Sequence, residues 1–174
     1  MPANINENWK DKAVDDFEED LLKYAFSIIK DIERARDAVQ DTFLKLVKEE
    51  KDIREYLKQW LFKVCRNRLY EILRKENKMQ TMDMEAVNRE AAEDKTPDTS
   101  VKEKDDVSNI MKLLSGLPFN QQEVVRLKFQ GGLSYKEISE VTNLTVSNVG
   151  FLLHTALKTV RSQFFQASVK GGLS

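Results

Sequence analysis

Residues 134–161 read SYKEISEVTNLTVSNVGFLLHTALKTVR, and the prediction for the C-terminal half of the chain rests on them. Ser134 and Glu137 have the spacing of a capping box, in which each side chain bonds the other residue's backbone N–H at the start of a helix. Asn143-Leu144 breaks that helix, and Thr145 is expected to cap the next one. A short helix, a tight turn and a longer helix form the layout of a helix–turn–helix, whose second helix enters the major groove of DNA.

The second of these helices has one apolar face and one polar face. The residues expected to be buried are Val149, Leu152, Leu153, Ala156 and Val160. Those expected to face solvent are Ser147, Asn148, Phe151, His154, Thr155, Lys158 and Arg161. Serine and asparagine can bond base edges, phenylalanine can contact a thymine methyl group, and the two cations suit phosphates. Taken alone, this pattern also fits a plain helical pair that packs on a core.

Three more stretches in the N-terminal half have apolar residues at helical spacing. The first runs from Phe17 to Ile29, the second from Ala35 to Val47, and the third from Ile53 to Leu73. Each has a single apolar stripe, so the three helices must bury their stripes against one another to stay folded. The pattern predicts a compact helical domain over residues 1–78.

Residues 79–106 lose this periodicity and are acidic, with threonine, serine and Pro97 interspersed. Such a segment buries too little apolar surface to offset its chain entropy, which predicts a flexible linker. Periodicity returns in residues 107–174. The expected fold is therefore all-α, with two small helical domains joined by a flexible linker.

Composition excludes several classes of protein. The chain has 174 residues, a formal charge of −1, one His and one Cys. The lone Cys65 rules out a disulfide framework and a cysteine-cluster metal site, so neither metal nor cofactor is expected and an enzyme is the least favoured class. The N-terminus is acidic, unlike a signal peptide, and no apolar run reaches membrane-spanning length. These features predict a cytoplasmic protein without membrane insertion.

The near-neutral total hides two basic blocks. Residues 51–80 contain nine cations and four carboxylates, and residues 111–174 contain seven and three. Between them, residues 81–110 contain four cations and nine carboxylates. Separated basic blocks are expected of a chain with two nucleic-acid contacts, although solvated helix faces explain them as well.

The third N-terminal helix carries a polar stripe at three- and four-residue steps. Its members are Lys63, Arg66, Asn67, Tyr70 and Arg74. Cations interleaved with an amide and an aromatic ring suit DNA, because cations bind phosphates, a ring can stack on a base and an amide can read a base edge. A solvated helix face is the alternative.

Four segments resemble a known family. Residues 37–44, DAVQDTFL, resemble the "D-A-E-D-hydrophobic-Q-E-x-F" core of bacterial sigma factors, and residues 60–71, WLFKVCRNRLYE, resemble the "W-L-x-x-I-A-x-N-x-x-x-D" helix that follows it. Residues 117–124 and 132–138 resemble the start of that family's fourth conserved region. The pattern is similar to the short, two-domain extracytoplasmic-function class of the sigma-70-like family, over nearly the whole chain outside residues 79–106.

This resemblance implies a transcription initiation factor that binds core RNA polymerase and directs it to promoters. It places polymerase docking on the second helix, at Asp37, Gln40, Asp41 and Phe43. It places recognition and melting of the minus-ten element, with capture of a flipped base, on the third helix, at Lys63, Arg66, Asn67, Arg68, Tyr70 and Arg74. It assigns minus-thirty-five binding to Tyr135, Lys136, Thr145, Ser147, Asn148, Phe151, His154, Lys158 and Arg161. An anti-sigma factor is the further partner it implies.

The chain departs from the family pattern in two places. Residues 149–157 read VGFLLHTAL where the family usually reads like "V-K-S-R-L-H-R-A-R", so about three cations are missing and we expect weaker, less salt-sensitive minus-thirty-five binding. Gly150 costs about 1 kcal/mol of helix propensity. The loop Lys48 to Arg54 is acidic and lacks the family's aromatic and glycine residues, so base-pocket residues do not transfer onto it.

Two other functions fit parts of the sequence. A stand-alone helix–turn–helix regulator would use the N-terminal helices for dimerisation or sensing. A helical adaptor would bind only proteins, and its activity would not depend on Arg66 or Asn67. The tail from Gln163 to Ser174, which contains Phe164 and Phe165, could pack on the second domain or contact a partner.

Overall fold

The computed structural model describes residues 5–77 and 102–172, and every regular element in these residues is helical. The elements are α1 (Ile5–Ile29), α2 (Ile32–Lys48), a 3₁₀ turn (Arg54–Tyr56), α3 (Leu57–Glu76), α4 (Lys102–Ser115), α5 (Phe119–Phe129), α6 (Tyr135–Thr142) and α7 (Val146–Gly172). The all-α prediction is confirmed.

The chain divides into two compact units. The first contains the described residues up to 77 together with Arg126–Val146, and the second contains those from 102 to Val125 together with α7 from Ser147 onward. The predicted linker lies outside the described residues up to position 101, and its last five residues form the start of α4. Residues 102–106 are polar, but lysine and glutamate are good helix formers. This first turn of α4 can therefore be helical without an apolar stripe.

The core of the first unit comes from the three predicted stripes. Tyr24 and Phe62 are both fully buried and meet edge to face, with ring centroids 5.4 Å apart. Around them lie buried apolar residues of all three helices: Leu21, Ala25, Ala35, Ala38, Val39, Leu46, Leu61, Cys65 and Leu69. Burying side chains of this size stabilises the fold by about 1.5–3 kcal/mol for each larger one.

The structure departs from the predicted stripes at three points. α1 begins at Ile5, well before Phe17, and Ala13 is already buried there, because acidic residues occupy the solvent side of the same turns. Val47 is 65% exposed, so its place in the apolar stripe of α2 is wrong. Tyr56 lies in the 3₁₀ turn before α3 and is 40% exposed, so its place in the apolar stripe of the third helix is wrong as well.

Side chains hold both ends of α2. At its start, the Asp31 carboxylate accepts from the backbone N–H groups of Glu33 and Arg34, at 3.0 and 3.3 Å. At its end, the Lys10 ammonium donates to the carbonyls of Val47 and Glu49, at 3.1 and 2.7 Å. These contacts satisfy backbone groups that have no partner within the helix.

The helix–turn–helix begins as its sequence predicts. The Ser134 hydroxyl accepts from the Glu137 N–H at 3.1 Å, and the Glu137 carboxylate accepts from the Ser134 N–H at 2.8 Å, which confirms the capping box. Asn143 ends α6 in the left-handed conformation, at φ 62°. Asparagine tolerates that conformation better than most residues, which explains the break in the pattern.

In the second unit, a buried amide holds the turn between α4 and α5. The Gln122 side chain donates to the carbonyls of Ser115 and Leu117, at 2.9 and 2.8 Å, and only 3% of it is exposed. These bonds fix the Ser115–Pro118 segment, where the sequence predicted that the helix stops. The buried apolar residues of this unit are Leu117, Val124, Val125, Val149, Leu153 and Ala156.

Candidate nucleic-acid interface

The polar stripe of α3 is present, although its members differ in accessibility. Lys63, Asn67 and Arg74 are exposed, and they follow one another at steps of four and seven residues. Tyr70 is only 6% exposed, and the Arg66 guanidinium lies 4.8 Å from the centre of its ring. The ring therefore supports Arg66 through a cation–π contact and does not offer a free face for stacking on a base. The exposed amide and cations are the members of this stripe that are open to solvent.

Arg68 faces another helix. Its Nε donates to an Asp41 carboxylate oxygen at 2.7 Å, and its Nη1 lies 3.3 Å from Glu71. The bond to Asp41 is the largest cause of a raised Arg68 pKa. Sequence analysis assigned Arg68 to DNA and Asp41 to polymerase, and the structure joins the two residues to each other. This ion pair ties α2 to α3.

The docking residues expected on α2 belong to a larger exposed face. Asp37 and Gln40 are exposed, whereas Asp41 and Phe43 are half-buried. Leu44 and Val47 are 56% and 65% exposed and follow Gln40 at steps of four and three residues. We call Asp37, Gln40, Leu44 and Val47 the α2 face. Sequence analysis missed its apolar half, because Val47 also fits the buried stripe at helical spacing; only the exposure in the fold separates the two.

The first helix of the helix–turn–helix exposes two of the expected contact residues at its start. Tyr135 is 43% exposed, and Lys136 is exposed beside it. The Lys128 ammonium lies 5.5 Å from the centre of the Tyr135 ring. A cation and a phenol at the N-terminus of a helix suit contact with a phosphate.

α7 presents the polar face that its spacing predicts. Val149, Leu153 and Ala156 are buried. The exposed residues are Ser147, Asn148, Phe151, His154, Lys158 and Arg161, and Thr145 is exposed in the turn before the helix. Thr155, expected on this face, is only half exposed. The helix has no charged residue before Lys158, and the Phe151 ring is 66% exposed.

Cys65 is buried in the core of the first unit. Burial raises the pKa of the Cys65 thiol to about 12, partly offset by a hydrogen bond with Thr42, so this thiol is protonated and inert at neutral pH. Within residues 5–77 and 102–172 no three His, Cys, Asp or Glu side chains come together as metal ligands. No helix in the same residues is long and apolar enough to cross a membrane.

Comparison with known proteins identifies both halves of the chain. The family model for sigma-70 region 2 matches residues 13–79, and that for sigma-70 region 4 matches residues 108–167. The chain is 29% identical to the RNA polymerase sigma factor SigV of Bacillus subtilis over 86% of its own length and 87% of that protein. It is 26% identical to the ECF RNA polymerase sigma factor SigM of the same organism, over 83% of this chain and 88% of that protein.

A solved structure shares the fold. It is the sigma factor RpoE from Bartonella quintana, crystallised with the anti-sigma factor NepR. The match has a TM-score of 0.64 at 20% identity and covers 90% of this chain and 96% of RpoE. Because the region 2 and region 4 models together match most of the chain and these relatives are covered over most of their length, the chain belongs to the extracytoplasmic-function sigma factors of the sigma-70-like family.

Proposed function

We propose that this sigma factor binds core RNA polymerase through the α2 face and directs it to promoters that it reads with α3 and with the helix–turn–helix. α3 recognises and melts the minus-ten element, and the helix–turn–helix binds the minus-thirty-five element. The reaction itself belongs to the polymerase, so this chain is not an enzyme. It acts by non-covalent binding in the cytoplasm.

The observation that carries the minus-ten assignment is the exposure of Asn67 between two exposed cations on one helix. Lys63 and Arg74 lie on the same face of α3 as the amide. Cations at these steps position a helix on phosphates, and the amide between them reaches a base edge. Arg66 adds a guanidinium that lies 4.8 Å from the centre of the Tyr70 ring. Capture of a base needs only stacking and backbone contacts, with no covalent step.

The α2 face combines polar and apolar groups in the way that protein interfaces do. Exposed leucine and valine side chains gain by leaving water, while Asp37 and Gln40 supply directional bonds at their side. Asp41 acts differently. Its ion pair with Arg68 holds α2 and α3 in register, so we assign both residues a positioning role between the docking helix and the minus-ten helix.

The minus-thirty-five contact relies on base edges more than on charge. Ser147, Asn148 and Phe151 supply the contacts of the first turns, and Lys158 and Arg161 reach phosphates. Two moderate contacts on one chain reinforce each other through a high effective concentration. We place their domains at residues 1–78 and 107–174, with residues 79–106 as the linker. An anti-sigma factor that covers the DNA faces is the expected regulator.

Runoff transcription with core polymerase on genomic fragments tests this function. We expect new start sites when the protein is added, and loss of those sites with Asn67→Ala. A protein that leaves the start sites of core polymerase unchanged is not a promoter-directing factor. If the pure protein instead binds duplex DNA tightly as a dimer without polymerase, it is a stand-alone regulator.

A further inference from the structure

The start of α1 lies before the part of the chain that matches sigma-70 region 2. α1 begins at Ile5, whereas the region 2 match begins at residue 13. Trp9 and Lys10 belong to these first turns, and both side chains are half-buried. Both contact the segment that connects α2 to α3, residues 49–56, or the end of α2 beside it.

Lys10 holds the start of this connecting segment. Its ammonium group donates to the carbonyls of Val47 and Glu49, at 3.1 and 2.7 Å. Val47 belongs to the last turn of α2, and Glu49 directly follows the helix. Carbonyls at the end of a helix have no partner within it, and a cation suits them. One side chain of α1 thus fixes the point where the chain leaves α2.

Trp9 contacts the other end of the connecting segment. The Arg54 guanidinium carbon lies 5.9 Å from the centre of the Trp9 ring, within the range of a cation–π contact. Asp52 orients that guanidinium, because its two carboxylate oxygens accept from the Arg54 Nε and Nη2 at 2.9 and 2.6 Å. The side-chain hydrogen bonds from Arg54 are the largest cause that lowers the pKa of Asp52 to about 2, so the pair stays ionised at neutral pH.

The middle of the segment is anchored in the core. Ile53 is 1% exposed, and its carbonyl accepts from the Tyr56 N–H at 3.1 Å in the 3₁₀ turn. Residues 49–56 are therefore held at three points, which are the carbonyl of Glu49, the side chain of Ile53 and the guanidinium of Arg54. Two of these three contacts come from the start of α1.

We infer that Trp9 is a positioning residue for the minus-ten helix, because it holds Arg54 and with it the turn from which α3 starts. This inference rests on the proposed function, which assigns the minus-ten element to α3. The turn Arg54–Tyr56 leads directly into Leu57, so its orientation sets the direction in which α3 leaves α2. A segment that is ordered before binding saves the entropy of ordering it in the complex. Trp9 acts through Arg54 and needs no contact with DNA.

Hydrogen exchange in the free chain tests the contact itself. Trp9→Leu keeps an apolar side chain but removes the ring, and we expect the backbone amides of residues 53–56 to exchange about threefold faster. Trp9→Phe keeps a ring and should retain most of the protection. Val14→Ala, which shortens another half-buried side chain of α1, is the matched control and should leave these amides unchanged.

Promoter opening tests the positioning role. One template is an intact duplex, and the other has a minus-ten region that mismatches have already unpaired. The unpaired template spares the free energy of melting, so it should depend less on the order of α3 before binding. With Trp9→Leu, we expect transcription-competent complexes to form about threefold more slowly on the duplex and less than about 1.5-fold more slowly on the unpaired template. Trp9→Phe should restore the rate on the duplex.

The difference between the templates separates positioning from stability. A general loss of folded protein would lower both rates by the same factor, as Val14→Ala should do if it lowers them at all. Arg54→Leu then shows whether Trp9 acts through Arg54. In the Arg54→Leu background, Trp9→Leu should have little further effect on the duplex rate, because the contact is already lost.

The outcomes distinguish the positioning role from the function itself. Unchanged hydrogen exchange in Trp9→Leu, equal losses on the two templates, or additive effects of Trp9→Leu and Arg54→Leu would each overturn the positioning role. The exchange measurement needs no polymerase. If Trp9→Leu speeds exchange but the natural chain creates no start sites with the polymerase, the proposed function is wrong and the contact remains.

Discussion

The two helices proposed to contact DNA, α3 and α7, carry their charge in different ways. α3 has six cations in its 20 residues, and two of those on its exposed stripe, Lys63 and Arg74, are open to solvent. α7 has none before Lys158, and its exposed first half is neutral. Phosphate contacts give affinity that falls steeply with salt, whereas contacts to base edges do not. If both helices bind DNA as proposed, attachment at α3 is driven by charge and contact at the start of α7 is largely neutral.

The largest expected effect compares the same substitution on the two helices. Asn67→Ala should lower runoff transcription about tenfold or more, because it removes an amide contact needed to hold the opened strand. Asn148→Ala should lower it about threefold, because the remaining contacts and the polymerase still hold the duplex. Asn120→Ala, at an exposed position of α5, is the matched control and should leave transcription unchanged. Equal losses of transcription at positions 67 and 148 would contradict the expected difference between α3 and α7.

The next largest effect is expected at the α2 face. We propose that this face binds polymerase, so both DNA-contacting helices depend on it. Leu44→Ser or Val47→Ser should each lower affinity for core polymerase about fivefold, since each loses roughly 1 kcal/mol of apolar burial on docking. Both side chains are exposed, so the melting temperature should barely change. Competition binding against the natural chain measures the affinity.

A matched control uses another exposed apolar residue of the same helix. Ile32 is 41% exposed at the start of α2, and Ile32→Ser should leave polymerase affinity as it is. If Ile32→Ser weakens binding as much as Val47→Ser does, general apolar contact explains the result and the α2 face is not the docking surface.

A third experiment adds a positive charge to α7 and so reduces the difference in charge between α7 and α3. Leu157 is 41% exposed beside Lys158, where the family usually has a cation. Leu157→Arg should raise affinity for the minus-thirty-five element about threefold and steepen the dependence of log affinity on log salt by about 0.9. Leu157→Gln controls for loss of the apolar side chain. An unchanged salt slope for the arginine variant would place position 157 away from the phosphates.

The smallest expected effect concerns the Arg68–Asp41 ion pair. A double-mutant cycle with Arg68→Met and Asp41→Asn should give a coupling energy of about 0.5 kcal/mol in the free energy of unfolding, because both side chains are partly exposed. The salt slope of promoter binding should not change with Arg68→Met. If the salt slope fell by about one unit, Arg68 would contact a phosphate after all.

The sequence alone predicted those features of the fold that depend on residues close together in the chain. The capping box at Ser134 and Glu137 and the alternation of buried and exposed residues along α7 depend only on neighbours within a few positions, so they were predictable. Most of the apolar stripes of α1, α2 and α3 was also clear, because each must be buried by the other two, but spacing alone wrongly included Val47 and Tyr56.

The remainder depended on contacts between distant residues. Tyr70 fits a polar stripe by spacing, and only the packing of α3 shows it to be buried under Arg66. Arg68 and Asp41 are 27 positions apart, and no local rule pairs them. A Cβ atom added to Gly131 would lie 3.0 Å from the Phe62 ring, and these two residues are even further apart in the sequence. Gly131-Gly132 was therefore predictable only as a break between helices.

The bond from Lys10 to the end of α2 has a practical consequence for handling the protein. Its two acceptor carbonyls include that of Val47, the last member of the α2 face. Removing the first ten residues, or fusing a bulky tag close to them, should fray the final turn of α2 and weaken assembly with the polymerase. A purification tag is therefore better attached after α7, because the beginning of the chain helps shape a surface almost forty residues away.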